Sequence, residues 1–178
     1  MNTNNPLSFY AATKMSNELM AYSYSNIYKM KITGVRFFTV YGPLGRPDMS
    51  IFKFIKNLKG NKSIELFNYG KHTRDFTFVE DVAKCLHKLI KLNDSRLIRF
   101  NIFNISNSNP VSIKKIINLI KLHTNIKPKI IYLKMQLGDV KKTHGSNIKL
   151  SRAIGKIKYT PIEIGIKKFI NWYNDYYK

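Results

Sequence analysis

The sequence predicts an α/β fold. Extended stretches rich in β-branched and aromatic residues alternate with helix-forming stretches along the whole chain. At 178 residues with 44% hydrophobic content it has enough apolar material for one ordinary core. No internal repeat or low-complexity linker divides it, so a single domain over 1–178 is expected.

Residues 8–29 contain no glycine or proline and carry good helix formers (Ala11, Ala12, Lys14, Glu18, Leu19, Met20, Ala21), with Ser8 available to cap the start. A long helix follows. Residues 32–41 read as a buried strand, stopped by Gly42 and Pro43. A helix is predicted over 51–58 and a short strand over 64–67, ending at a Gly70 turn. A brief extended stretch over 75–79 leads into a helix over 80–92. The second half repeats the alternation: a strand over 100–105, a polar Ser/Asn loop with Pro110, a helix over 112–123 and a strand over 129–133. A final helix over 162–177 places Ile166, Phe169, Ile170 and Tyr173 on one face.

Composition narrows the function. The net charge of +21 raises nucleic acid as a partner, but 25 Lys stand against 6 Arg, and the lysines are spread over the chain rather than gathered in a block. Arginine is the residue favoured for bidentate phosphate and base contacts, so no nucleic acid is expected and a solvated cationic surface that favours anionic small substrates is. No apolar run approaches the roughly 20 residues of a membrane helix, and residues 1–6 do not resemble a signal sequence, so no membrane partner and a cytoplasmic location are expected. Cys85 is the one cysteine, and no Cys/His grouping has metal-ligand spacing, so neither a disulfide nor a metal site is expected.

Tyr10 and Lys14 lie four residues apart on one face of the first predicted helix. A neighbouring ammonium favours the phenolate form of a tyrosine, which suits Tyr10 to be a general base. Spacing alone decides little: with 11 Tyr in so lysine-rich a chain, about one or two such pairs arise by chance.

The neighbours of the pair carry more weight. Pro6-Leu7-Ser8-Phe9-Tyr10-Ala11-Ala12-Thr13-Lys14, Asn17-Glu18-Leu19, Arg36-Phe37-Phe38-Thr39-Val40-Tyr41-Gly42-Pro43 and Arg74-Asp75-Phe76-Thr77-Phe78-Val79-Glu80-Asp81-Val82 follow one another in order. Phe103-Asn104-Ile105-Ser106-Asn107, Gly138-Asp139-Val140 and Phe169-Ile170-Asn171-Trp172-Tyr173 continue the series. In order and spacing this set resembles the extended short-chain dehydrogenase/reductase family of NAD-dependent nucleotide-sugar epimerases and dehydratases. The resemblance implies the C-terminal part of a Rossmann-type fold (mainly 1–50 and 74–106) plus its small substrate-binding lobe (mainly 51–73 and 107–178). It also implies a catalytic Tyr10 and Lys14, with NAD as cofactor and a UDP-sugar as substrate. Tyr10 would take the proton from a sugar hydroxyl, and Lys14 would hold the nicotinamide ribose.

The same resemblance sets Phe38 beside the nicotinamide and Thr39 at the sugar nucleotide, and it places Arg74 on the diphosphate. Leu66 and Phe67 fall beside the uracil, and Gln136 and Asp139 at the uridine ribose. Each has a plainer alternative, packing for the strand residues and a surface ion pair with Asp75 or Asp81 for Arg74. Thr39, together with Gly45-Arg46-Pro47-Asp48-Met49, resembles the UDP-glucuronate 4-epimerase branch, in which Thr39 and Arg46 would contact the substrate carboxylate.

The sequence departs from the family in several places. No Gly-x-x-Gly-x-x-Gly turn for the NAD pyrophosphate occurs, and the family's catalytic Ser/Thr would lie before Met1, so the N-terminal NAD-binding half is expected to be absent. Leu137 stands where proline is common, and Ser146 where aspartate is. Loss of that half would leave the 35–41 strand with an open edge and uncovered apolar surface. Micromolar NAD binding by this chain in calorimetry would overturn the expectation that it holds NAD only weakly. A homodimer through the Tyr-Lys helix is expected if the missing half is supplied. Three other readings stay open: a dehydratase or decarboxylase of the same superfamily, a non-catalytic remnant that still binds a sugar nucleotide, and a basic nucleic-acid-binding module.

Overall fold

The computed structural model describes residues 5–92 and 99–177. Helix α1 (Phe9–Ile27) starts where the sequence predicts, with the Ser8 hydroxyl accepting the Ala11 N–H at 3.2 Å. The predicted strand over 32–41 is two strands. β1 (Ile32–Phe37) and β2 (Thr39–Tyr41) are separated at Phe38 because they have different partners. β1 runs parallel to β5 (Phe100–Ile105), pairing Phe37 with Ile105, whereas β2 runs parallel to β4 (Thr73–Phe78), pairing Thr39 with Phe76.

Helix α2 (Ser50–Lys59) leads to β3 (Ile64–Leu66). Phe67, predicted at the strand end, instead opens a 3-10 turn (Phe67–Gly70) in which Asn68 and Tyr69 have φ of 50° and 53°. β4 passes directly into α3 (Val79–Ile90), whose first turn carries Glu80 and Asp81, as the helix dipole favours. Where a polar loop was expected around Pro110, the chain forms β6 (Pro110–Ser112), antiparallel to β4. Proline is tolerated there because β6 is the edge strand of the order β2-β4-β6.

Ser112 caps α4 (Ile113–Thr124) by accepting the Lys115 N–H at 3.2 Å, and Asn125 ends it in the left-handed region at φ 55°. β7 (Ile130–Tyr132) pairs parallel with β3. Helix α5 (Ile148–Ile154) was not foreseen, and α6 (Ile162–Tyr176) matches the predicted amphipathic helix.

Two apolar cores result. The larger packs α2, α4 and α6 on β2 and β4 through Ile55, Phe76, Phe78, Ile116, Ile166 and Phe169. The smaller joins α3, β5 and α5 through Val82, Cys85, Phe103, Ile105 and Leu150. Helix α1 belongs to neither: Ser25 is its one buried residue, and Leu19, Met20, Tyr22 and Ile27 are exposed. A two-pronged ion pair from Arg36 to Glu18, at 2.7 and 2.6 Å, ties α1 to β1. Among the described residues β1 is paired on one edge only, so the open edge and uncovered apolar surface expected for this region are present.

Candidate active site

The ends of β2, β3 and β4 surround a cleft of about 340 Å³. Thr39 enters it from β2, Leu66 and Phe67 from the end of β3, Arg74 from β4, and Asp139 from the loop after β7. Five predicted substrate residues, far apart in sequence, therefore meet in one cavity. Asp48, Lys53, Glu65 and His72 line it as well. Three of the ten acidic residues of a chain with net charge +21 stand here (Asp48, Glu65, Asp139), and one of them, Asp139, holds Arg74.

Arg74 shows how that holding works. Its guanidinium donates to Asp139 Oδ1 at 2.8 Å and to the carbonyls of Thr73 and Lys141, each at 3.2 Å. The ion pair expected with Asp75 or Asp81 does not form. Asp75 is wholly buried, where its Oδ2 accepts the Gly145 N–H at 3.0 Å, and Asp81 is buried accepting the Thr160 N–H at 2.6 Å. Burial pushes the Asp75 carboxyl above the usual carboxylate range, opposed by the Gly145 N–H and the charge of His144. Arg74 is thus a preset fork at the mouth of the cleft, with planar geometry suited to phosphate oxygens.

Arg46 lies beside this cleft, in a smaller depression that also includes Thr39 and Met49. It grips Asp48 through two hydrogen bonds of 3.0 and 2.6 Å. The hydrogen bond and charge of Asp48 raise its pKa. A carboxylate already occupies the fork, so Arg46 demonstrably presents carboxylate-binding geometry. Gln136 stands apart from the cleft: it is exposed, and its carbonyl accepts the Asp139 N–H at 3.3 Å to close a turn.

Tyr10 and Lys14 border a second, larger cavity of about 510 Å³, formed with Glu18, Val35, Phe37 and Phe100. Tyr10 is 71% exposed, and the Lys14 ammonium lies over its ring, 5.3 Å from the centroid. The loop that carries Asp139 lies against the start of α1, where a Cβ on Gly138 would be 3.7 Å from the Leu7 carbonyl. Phe38 sits half-buried at the break between β1 and β2, with Gly145 against its ring. His72, absent from the sequence reading, is two residues before Arg74, and period-two alternation sets both on one side of the chain.

Among the described residues no helix is long and apolar enough to cross a membrane, and no group of three or more His, Cys, Asp or Glu is placed to hold a metal ion.

Parallel strands joined by helical crossovers place the chain in the α/β class. The chain belongs to the NAD dependent epimerase/dehydratase family, whose model matches residues 1–106. It is 39% identical to Protein CapI of Staphylococcus aureus over 99% of this chain and 57% of that protein. It is 38% identical to UDP-glucuronate 4-epimerase 4 of Arabidopsis thaliana over 98% of this chain and 43% of that one. Its fold is similar to the crystal structure of UDP-glucuronic acid 4-epimerase from Bacillus cereus in complex with UDP-glucuronic acid and NAD. That match has a TM-score of 0.91 at 28% identity and covers 97% of this chain and 55% of that one. The chain spans about half the length of the curated relatives it matches.

Proposed function

We propose that this chain carries the general base and the sugar-nucleotide cleft of an NAD-dependent 4-epimerase whose substrate is UDP-glucuronate. The observation that carries the reading is the meeting of Thr39, Leu66, Phe67, Arg74 and Asp139 in one cleft, with the loop of Asp139 set against the start of the Tyr10 helix. On this reading Leu66 and Phe67 present an apolar wall to the uracil, Asp139 offers a carboxylate to a ribose hydroxyl, and Arg74 holds the diphosphate. Gln136 retains a role at the ribose only if its loop turns inward.

The cavity beside Tyr10 and Lys14, lined by Val35 and Phe37, suits the nicotinamide and its ribose, and Phe38 follows Phe37 directly in the chain. Lys14, Val35 and Phe37 would hold NAD there, and the cofactor would supply the acceptor for the C4 hydride and its return to the opposite face of C4 once the 4-keto sugar has turned over. Tyr10 takes the proton of the C4 hydroxyl as the 4-keto sugar forms and gives it back to the same oxygen on the opposite face. Lys14, on the same face of α1, holds the ribose. Thr39 and Arg46 take the sugar carboxylate, a role supported by the two-pronged contact that Arg46 already makes with Asp48. The apolar exposed face of α1 supports a homodimer through that helix, and the family's soluble sugar-nucleotide chemistry suits the cytoplasm.

The test is made on the complete protein with UDP-glucuronate and NAD, following the sugar H4 signal by NMR. Inversion at C4 is expected. Arg46→Ala is expected to weaken UDP-glucuronate by roughly 10-fold to 100-fold, the worth of a charge-assisted pair, while leaving UDP-glucose nearly unchanged. Equal losses for the two substrates would sink the carboxylate assignment.

A further inference from the structure

His72 is the one group in the cleft that has a titration near neutral pH and no part in the reading above. Its side chain is 8% exposed and lines the cavity. Its Nε2 is buried and makes no hydrogen bond, yet it lies 3.2 Å from Asp139 Oδ2. The other oxygen of the same carboxylate, Oδ1, accepts the Val140 N–H at 2.7 Å and the Arg74 guanidinium at 2.8 Å. One carboxylate therefore stands between two cationic heads, one permanent and one that can lose its charge.

The forces on His72 are opposed. Burial disfavours its imidazolium most, the Asp139 carboxylate favours it, and the Arg74 charge disfavours it again, leaving its pKa below the ordinary histidine value. Other charged groups border the cavity: Lys53 on α2, Glu65 on β3, Asp48 ahead of α2, and Lys114 on α4, which lies against Gly70. Lys141 follows on the chain from the Asp139 loop. Of these residue types histidine alone titrates between about pH 5 and 8.

We propose that His72 is a proton-dependent positioning residue that takes Asp139 over from Arg74 when an anionic ligand enters. The inference rests on the nucleotide-sugar reading of the cleft. With both ring nitrogens protonated, Nε2–H turns onto Asp139 Oδ2 and balances that carboxylate. The Arg74 guanidinium is then free to face the diphosphate. The added proton comes from solvent, and at most one is taken up per ligand bound. Because two anionic groups then face the imidazolium and Arg74 has turned away, the folded, liganded protein binds this proton more tightly than the free one. The gain in affinity is therefore complete below the free-state pKa of His72 and is lost as pH rises through its higher, ligand-bound value.

UDP-glucose is the right probe, because its diphosphate diester has no group that titrates in this window. Binding to the chain is followed by NMR, through the amide signals of Leu66 and Phe67 and the ring signals of His72. UDP-glucose is expected to bind about three- to fivefold more tightly at pH 6 than at pH 8, the part of a shift of about one unit that falls in this window when the free-state pKa lies below the ordinary histidine value. It is also expected to move the His72 titration to higher pH, a readout that needs no variant. His72→Gln, whose amide still donates to Asp139, should keep the tighter binding and lose its pH dependence. His72→Leu should be equally flat and weaker. Binding with an unmoved His72 titration, or with the same pH slope in His72→Gln, overturns the inference and leaves the nucleotide reading standing. No response of Leu66 or Phe67 to millimolar UDP-glucose at either pH overturns both.

Discussion

Substituting alanine for Gly145 tests how the loop over 143–146 is seated on Phe38. A Cβ at this position falls 2.5 Å from Ser106 Oγ and 2.6 Å from both Cε2 and Cζ of Phe38. Carbon atoms pack best at about 3.5–4.0 Å, so the groups must separate by about 1 Å. The backbone has little room to yield. The Gly145 N–H is bonded to Asp75 Oδ2 at 3.0 Å, the Thr143 N–H to the Thr73 carbonyl at 3.1 Å, and the Thr143 hydroxyl accepts the Asp75 N–H at 3.1 Å. Ser106 is wholly buried. Overpacking costs about 1–3 kcal/mol, and with the clash flanked on two sides the upper half of that range applies. At about 2–4 °C per kcal/mol for a chain of this size, the thermal midpoint should fall by roughly 4–10 °C. Circular dichroism of the purified chain measures it. Combining the substitution with Phe38→Leu removes the ring and should restore about half of the loss, the Ser106 contact accounting for the remainder. An unchanged midpoint in Gly145→Ala, or no recovery with Phe38→Leu, would refute the seating of this loop on Phe38.

Two further outcomes are expected. A Cβ on Gly165 would overlap the Tyr41 hydroxyl, so Gly165→Ala should cost about 2–3 kcal/mol in denaturant unfolding. Tyr41→Phe, which deletes a buried hydroxyl that has no hydrogen-bond partner, should rescue it; failure to rescue would contradict the packing of α6 on β2. For Asp75, burial raises the folded-state pKa above the unfolded value, so its protonated form favours folding, a contribution complete below about pH 4 and lost as pH rises through the folded pKa. Asp75→Asn should therefore gain stability relative to the parent as pH is raised from about 4 to 7 in paired melts, and a difference that shrinks over that range would reverse the sign of the argument.

Local chemistry made much of this molecule legible. Ser8 ahead of a stretch without glycine or proline marks the start of α1, and the apolar spacing of Ile166, Phe169, Ile170 and Tyr173 marks α6. What could not be read depends on partners. The stretch over 32–41 has strand character throughout, yet its break at Phe38 arises because β5 and β4 lie in different sheets. Pro110 reads as an interruption until its place on an edge strand is known. Helix α5 has seven residues, one buried side chain and no capping side chain, too weak a pattern to find by period.

The site divides in the same way. The ordered motifs locate Thr39, Leu66, Phe67, Arg74 and Asp139 in the cleft, whereas Gln136 is carried outside by the turn that ends at Gly138, where φ is 76°. His72 escaped notice because its significance lies in Asp139, 67 positions away and joined to it only by folding. The partner of Arg74 was missed for the same reason.

At Phe38 the chain passes from one sheet into another without leaving the extended conformation. The joint works as a fixed calliper. A strand advances about 3.3 Å per residue and turns successive side chains to opposite faces, so Phe38 is committed to Gly145 and Thr39 to the cleft, one residue apart. Helices α2 and α4 can shift with a ligand without changing that separation. A single residue inserted between the two would invert β2, carrying Thr39 to the wall side and turning Tyr41 away from Phe76 and Phe78. Spacing at this joint therefore fixes how far the residue proposed for the nicotinamide edge lies from the one proposed to read the sugar.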